Sequence, residues 1–234
     1  MERIEDLQYK NLKIIQDNDL YTFTSDSVIL ANFVKIKKRE NAVEIGAGSG
    51  VVSILVSQKT NVEKISAFEI QKEMGFLAEK NICLNNLQSK IKIINDDIEN
   101  FKTYLKNGET DVVFSNPPFM NNSKSNENKI KNIARHDFLL SPSKLCYCAS
   151  KILKSKGRFY LVYLAERLDE IIYNLLQNNL QPKTLFFTQN NSGKIRLCVI
   201  EAVKDGQKGI KILPNLIVND KDGKYMEELH TKYM

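Results

Sequence analysis

The chain of 234 residues has no tryptophan, two histidines and four cysteines. The missing tryptophan excludes nothing, but the cysteines are informative. Cys83, Cys146, Cys148 and Cys198 form no pair with metal or redox spacing, since Cys146-x-Cys148 lacks the two-residue spacer of a zinc knuckle or dithiol motif. Cys146, Cys148 and Cys198 fall in apolar segments, so buried free thiols, no metal and a reducing cytoplasmic location are expected. No apolar run approaches the roughly 20 residues of a membrane span. None follows the charged opening MERIEDLQYK either, so no membrane association is expected. No internal repeat is present.

The remaining composition is that of a soluble globular domain, and the length suffices for one large α/β core. Lys and Arg number 34 against 28 Asp and Glu, a net charge of +6. Such an excess suits a polyanionic partner, RNA or DNA, although a Lys-, Asn- and Ile-rich composition also follows from AT-rich coding.

Short apolar runs read as buried parallel strands at 42–45, 64–68, 91–94, 111–115 and 158–163. Helical patterns lie between them at 51–58, 72–87, 98–105 and 143–153, and a further helix at 166–179 precedes runs at 184–188 and 194–203. Strand alternating with helix predicts a doubly wound, mostly parallel α/β sheet, and the last two runs predict an antiparallel hairpin at one edge. Residues 1–40 read as an entry segment followed by a helix that begins near Ser25 or Asp26. Residues 41–204 read as the main domain and 205–234 as an irregular extension. The polar stretch 120–134 breaks the rhythm and reads as a functional or disordered loop.

The first strand ends in Glu44-Ile45-Gly46-Ala47-Gly48-Ser49-Gly50. Glycines there permit a tight turn and close approach of a ligand. The dinucleotide pattern would need glycine where Val51 stands, and a Walker loop would need a Gly-Lys-Ser/Thr that is absent. Glu44 suits a ligand without phosphate but with cationic groups, as S-adenosylmethionine has. Glu69, 19 residues after Gly50, closes the second strand, where a carboxylate accepts ribose hydroxyls; Ile70 adjoins it. Asp96 and Asp97 follow the third strand, where a carboxylate can accept from an adenine amino group, though Asp97 also fits a helix cap. Gly46, Ala47, Gly48, Gly50 and these acids make one candidate cofactor site at the carboxyl edge of the sheet.

Asn116-Pro117-Pro118-Phe119 follows the fourth strand at the same edge. A planar exocyclic amine becomes nucleophilic only when acceptors hold its hydrogens, and the Asn116 side-chain oxygen with the Pro117 carbonyl can be those acceptors. The prolines fix the backbone, and Phe119 offers a stacking face for a flipped base, with Pro118 beside it. Lys124, Lys129, Lys131 and Arg135 form a candidate RNA rim next to the motif; a solvated lysine-rich loop explains any one of them as well. His136 and His230 need no catalytic role, because the methylated nitrogen can release its proton to water.

With these motifs the chain resembles class I S-adenosylmethionine-dependent methyltransferases that carry an NPPY/F motif. More narrowly it resembles the bacterial tRNA(Val) adenine-N6 methyltransferases that act beside the anticodon. The narrower likeness lies in Phe23 to Ala31, Ile133 to His136 and Leu216 to Gly223. The resemblance implies a Rossmann-like, seven-stranded sheet with an antiparallel edge strand, S-adenosylmethionine as methyl donor and tRNA as partner. It also implies that Thr24 to Asp26 wall the cofactor site. Phe119 stands where many relatives have Tyr, so no hydroxyl acts there. A monomer is expected. Enzymes that methylate a protein glutamine amide share the tetrapeptide, usually with an extra N-terminal helical domain for which the residues before Glu44 are too few. Another RNA or DNA adenine, or a non-catalytic cofactor- or RNA-binding module, are the remaining alternatives.

Overall fold

The computed structural model describes residues 2–17, 20, 22–117 and 140–218. Pro118, Phe119, the basic positions Lys124, Lys129, Lys131 and Arg135, both histidines and the last sixteen residues lie outside them.

Strands β3 (Ala42–Ile45), β4 (Ile65–Phe68), β5 (Ile91–Ile94), β6 (Thr110–Ser115), β7 (Leu153–Leu164), β8 (Leu180–Gln189) and β9 (Ile195–Lys204) build the main sheet in the order β8-β9-β7-β6-β3-β4-β5. Pairing is parallel from β7 through β6, β3 and β4 to β5. The expected hairpin, β8 with β9, does close one edge, but β9 inserts between β8 and β7 and is antiparallel to both. The antiparallel strand is therefore next to the outermost long strand rather than outermost itself. Two further strands, β10 (Lys211–Ile212) and β11 (Leu216–Ile217), pair in parallel with β8. They raise the count to nine and give the tail more order than its glycines and proline suggest, because β8 offers a free edge that needs hydrogen-bond partners.

Helices α1 (Ser25–Phe33), α2 (Val51–Lys59) and α3 (Lys72–Leu84) precede β6; α4 (Pro142–Ile152) and α5 (Leu168–Gln177) follow it. Apolar side chains on β7 alternate between the two faces of the sheet, as the two-residue period requires. Tyr160, Val162 and Leu164 join a core with α1 and α2, whereas Phe159, Leu161 and Tyr163 join a second core with α4 and α5. Residues 98–103 form a 3-10 helix instead of the longer helix expected. Helix α3 stops at Leu84 because Asn86 takes a left-handed conformation, φ 57°. Cys146, Cys148 and Cys198 are buried free thiols, and burial pushes each up to about 12, beyond any useful nucleophilicity at neutral pH.

The entry segment holds a hairpin that its sequence did not announce: β1 (Glu2–Asp6) against β2 (Lys13–Asp17). Its Leu7, Leu12 and Ile14 are buried in the first core. Asn81 of α3 fastens it. The Asn81 Oδ1 accepts from the Ile15 N–H at 2.6 Å, and Nδ2 donates to the Ile15 and Ser49 carbonyls at 3.1 and 3.0 Å. One fully buried amide thus ties the hairpin to the glycine loop. Asn81→Ala strands these partners in a dry interior and is expected to cost about 1–3 kcal/mol. The measurement is a lower urea midpoint at unchanged m value; a wild-type midpoint would show that the amide contributes nothing net.

Candidate active site

β3 ends at Ile45 and the chain turns at once, with Gly46, Gly48 and Gly50 at φ 76°, 56° and 81°. A side chain at these angles is strained whatever the space around it. Gly50 caps α2, and a Cβ there would also press on Ala78 of α3 at 3.4 Å. The Gly46 and Ala47 N–H groups both donate to the Phe68 carbonyl, at 3.0 and 2.9 Å, which binds the loop to the end of β4.

Glu69 completes that junction. Its carboxylate accepts from the Gly48 N–H at 2.7 Å and the Gln71 N–H at 2.9 Å, and the residue is almost fully buried. These two bonds orient the carboxylate. A cavity at this edge is lined by Gly46, Gly48, Glu69, Ile70, Asp97 and Asn116, all from the predicted site, together with Ile45, Phe68, Gln71, Met74, Asp96, Ile98 and Leu140.

The paired aspartates behave differently. Asp96 accepts from Asn100 Nδ2 at 2.8 Å and the Tyr104 hydroxyl at 2.9 Å, bonds that hold its carboxyl below its usual pKa. Asp97 caps the 3-10 helix through the Glu99 N–H at 3.0 Å, and Lys144 of α4 binds it at 2.8 Å. Asp97 thus caps the 3-10 helix and also lines the cavity.

A smaller adjoining cavity is lined by Glu44, Ala47, Ser49, Ser27, Phe23 and again Asn116. Glu44 is wholly buried and accepts from the Ser53 N–H at 3.2 Å and from the Ser53 hydroxyl. Burial raises its pKa from 4.5 to about 8 against the opposing pull of Ser53, with Glu69 adding a smaller upward push.

Asn116 is the hinge between the two cavities. Its Nδ2 donates to the Ser27 hydroxyl at 3.1 Å, and its Oδ1 is buried without a hydrogen-bond partner among the described residues. Pro117, next to it, is buried. Ser27, absent from the predicted set, is the residue that aims Asn116; 89 positions separate them, so no local pattern could have joined them. Lys144 was missed for the same reason. Thr24 precedes α1, with its hydroxyl buried and unpartnered among the described residues. Asp26 does not join the cofactor cavity: it lines a separate one beside Arg196.

This strand order, with a glycine turn after β3, an acid after β4 and an asparagine after β6, defines a Rossmann-like methyltransferase fold. The chain belongs to the methyltransferase small domain family, matching it over residues 22–181. Among its relatives is a tRNA1(Val) (adenine(37)-N6)-methyltransferase of Dyadobacter fermentans, 24% identical over 95% of this chain and 92% of that protein. A protein of the same name from Bacteroides thetaiotaomicron is 26% identical over 81% of this chain and 86% of its own length. In structure the chain is similar to a predicted O-methyltransferase from Agrobacterium tumefaciens, with a TM-score of 0.70 and 16% identity, covering 89% of this chain and 96% of the other. It is likewise similar to M. jannaschii TYW2 in complex with AdoMet, with a TM-score of 0.61 and 14% identity over 86% and 85% of the two chains.

The Glu44 shift has a measurable consequence. Between its unfolded value of 4.5 and about 8 the folded carboxyl keeps a proton that the unfolded one has lost. The unfolded state then binds fewer protons, so the stability contributed is complete below 4.5 and is lost as pH rises through about 8. Glu44→Gln removes this component, so its stability relative to wild type should improve steadily from pH 5 to pH 8. Parallel pH–stability curves for the two proteins would refute the shift.

Proposed function

We propose that the chain transfers a methyl group from S-adenosylmethionine to the N6 amino group of an adenine in tRNA, beside the anticodon. The observation that carries this reading is the Asn116 carboxamide. Its NH2 donates to Ser27, and its buried oxygen is an acceptor with no partner among the described residues, at the meeting point of the two cavities. An orphaned acceptor is costly in the resting protein and becomes useful when a donor arrives. An exocyclic amine is such a donor, and a dry, fixed acceptor draws its nitrogen away from conjugation. The names of the full-length relatives in Dyadobacter and Bacteroides support adenine in tRNA as the acceptor.

The remaining roles follow from the surrounding groups. Glu69 accepts ribose hydroxyls; Asp97 accepts from the adenine amino group of the donor; Ile70 packs on that ring. Gly46, Ala47, Gly48 and Gly50 let the donor lie against the backbone. Glu44, deprotonated when a cationic group settles beside it, favours the ammonium end. S-adenosylmethionine supplies an electrophilic methyl on sulfonium. The acceptor nitrogen forms the new N–C bond as the C–S bond breaks, the electron pair stays on sulfur, and the nitrogen's proton leaves to water. The protein's contribution is positioning and hydrogen-bond acceptance, with no general base required. The protein works in the cytoplasm as a monomer, without a metal.

Incubation with labelled S-adenosylmethionine and total tRNA, total protein or DNA tests the acceptor: label should enter tRNA, and label confined to protein or DNA would overturn the proposal. Asn116→Ala should lower transfer by at least the 10²-fold typical of a lost positioned polar group while cofactor affinity stays near wild type. Loss of cofactor binding in that variant would assign Asn116 to the donor instead.

A further inference from the structure

A second cavity, of about 470 Å³, opens at the same carboxyl edge of the sheet, on the other side of the first turn of α1. Its size is that of a ligand site, about 300–1,000 Å³. Ser25 and Asp26 face it from α1, Leu164 and Glu166 from the end of β7, Thr188 from β8, and Lys194 and Arg196 from the start of β9. None of these is needed to hold the methyl donor. The two cavities share α1: Ser27 aims Asn116 into one, and its neighbour Asp26 faces the other.

The charges in this cavity are arranged and not scattered. Asp26 is 4% exposed, and a carboxylate so buried requires a counter-charge. Arg196 supplies it, with Nη2 at 3.8 Å from Asp26 Oδ2, while its own side chain stays 52% exposed. The buried acid therefore pins one side of a guanidinium whose other N–H donors remain open to the cavity. Lys194, just before β9, lines the same cavity as Arg196. It has no ion pair among the described residues. Two cations thus line one cavity. Glu166 also lines the cavity, and its negative charge disfavours an anion beside it.

We propose that this cavity seats the sugar-phosphate of a nucleotide flanking the target adenine, with the phosphate on Arg196 and Lys194 and Asp26 as the residue that positions Arg196. The flipped base then enters the Asn116 side while its neighbour is held across the first turn of α1, which sets the strand's register over the reacting centre. Arg pairs with phosphate in a planar, two-bonded manner and Lys as a point charge, so the pair fixes direction as well as affinity. This inference rests on the reading of the chain as an RNA adenine methyltransferase.

The test uses the full chain, transcribed tRNA and S-adenosylmethionine, comparing wild type with Lys194→Met, Arg196→Met and Arg196→Lys. Each neutralisation should raise the KM for tRNA on the order of tenfold and leave the dissociation constant for S-adenosylmethionine unchanged. Each should also reduce the slope of log affinity against log salt by about 1, whereas Arg196→Lys keeps the slope. Arg196→Met leaves Asp26 unpaired and can destabilise the fold, so Lys194→Met, on an exposed and unpaired side chain, carries the test independently. Wild-type KM and salt slope in Lys194→Met and in a folded Arg196→Met would overturn the assignment of the cavity. A wild-type enzyme that methylates DNA or protein but no tRNA would instead overturn the functional reading on which it rests.

Discussion

Parallel pairing of β3 with both β4 and β6 is the constraint on which the site depends. Because the three strands run the same way and in register, Ile45, Phe68 and Ser115 finish at one edge of the sheet. The residues that follow them, Gly46, Glu69 and Asn116, therefore meet although they are far apart in the chain. Backbone hydrogen bonds then knit the loops to each other: the Phe68 carbonyl takes two N–H groups from the glycine turn, and Glu69 takes the N–H of Gly48. The turn is held open by bonds that cost the ligand nothing to form.

Acids at this edge are tuned separately by their surroundings. Glu44 is driven towards its neutral form by burial, while Asp96 is held ionised by a tyrosine hydroxyl and an amide. Asp97 is paired with Lys144, and Glu69 is oriented by backbone N–H groups. One edge of the sheet in this way holds carboxyls that differ in how readily they ionise. Helix α1 adds a partition. Its first turn carries Ser27 on the side of the reacting centre and Asp26 on the side of the basic cavity, so two neighbouring residues serve two different clefts.

Much of this was legible before any coordinates. The parallel strands 42–45 and 91–94 came out at their observed bounds, because each is a short, mostly apolar run ended by a turn-forming residue, Gly46 or Asn95. The hairpin at the N-terminus was not legible: Glu2–Asp6 is almost wholly exposed and has no alternating pattern, and it is held by Asn81 and Asn85 from a distant helix. The strands in the tail were hidden likewise, since their two-residue pairings borrow the edge of β8.

The same division holds for chemistry. Residue type and spacing by themselves determined the glycine turn, the acid after the second strand of the parallel set and the asparagine after the fourth, because each is a property of a strand end and its next few residues. Tertiary structure alone decided that Asn116 is hydrogen-bonded to Ser27, that Asp97 is paired with Lys144, and that Asp26 lines a cavity with Arg196. Those are contacts between side chains many tens of residues apart, and only the packing of α1 and α4 against the sheet brings them within reach.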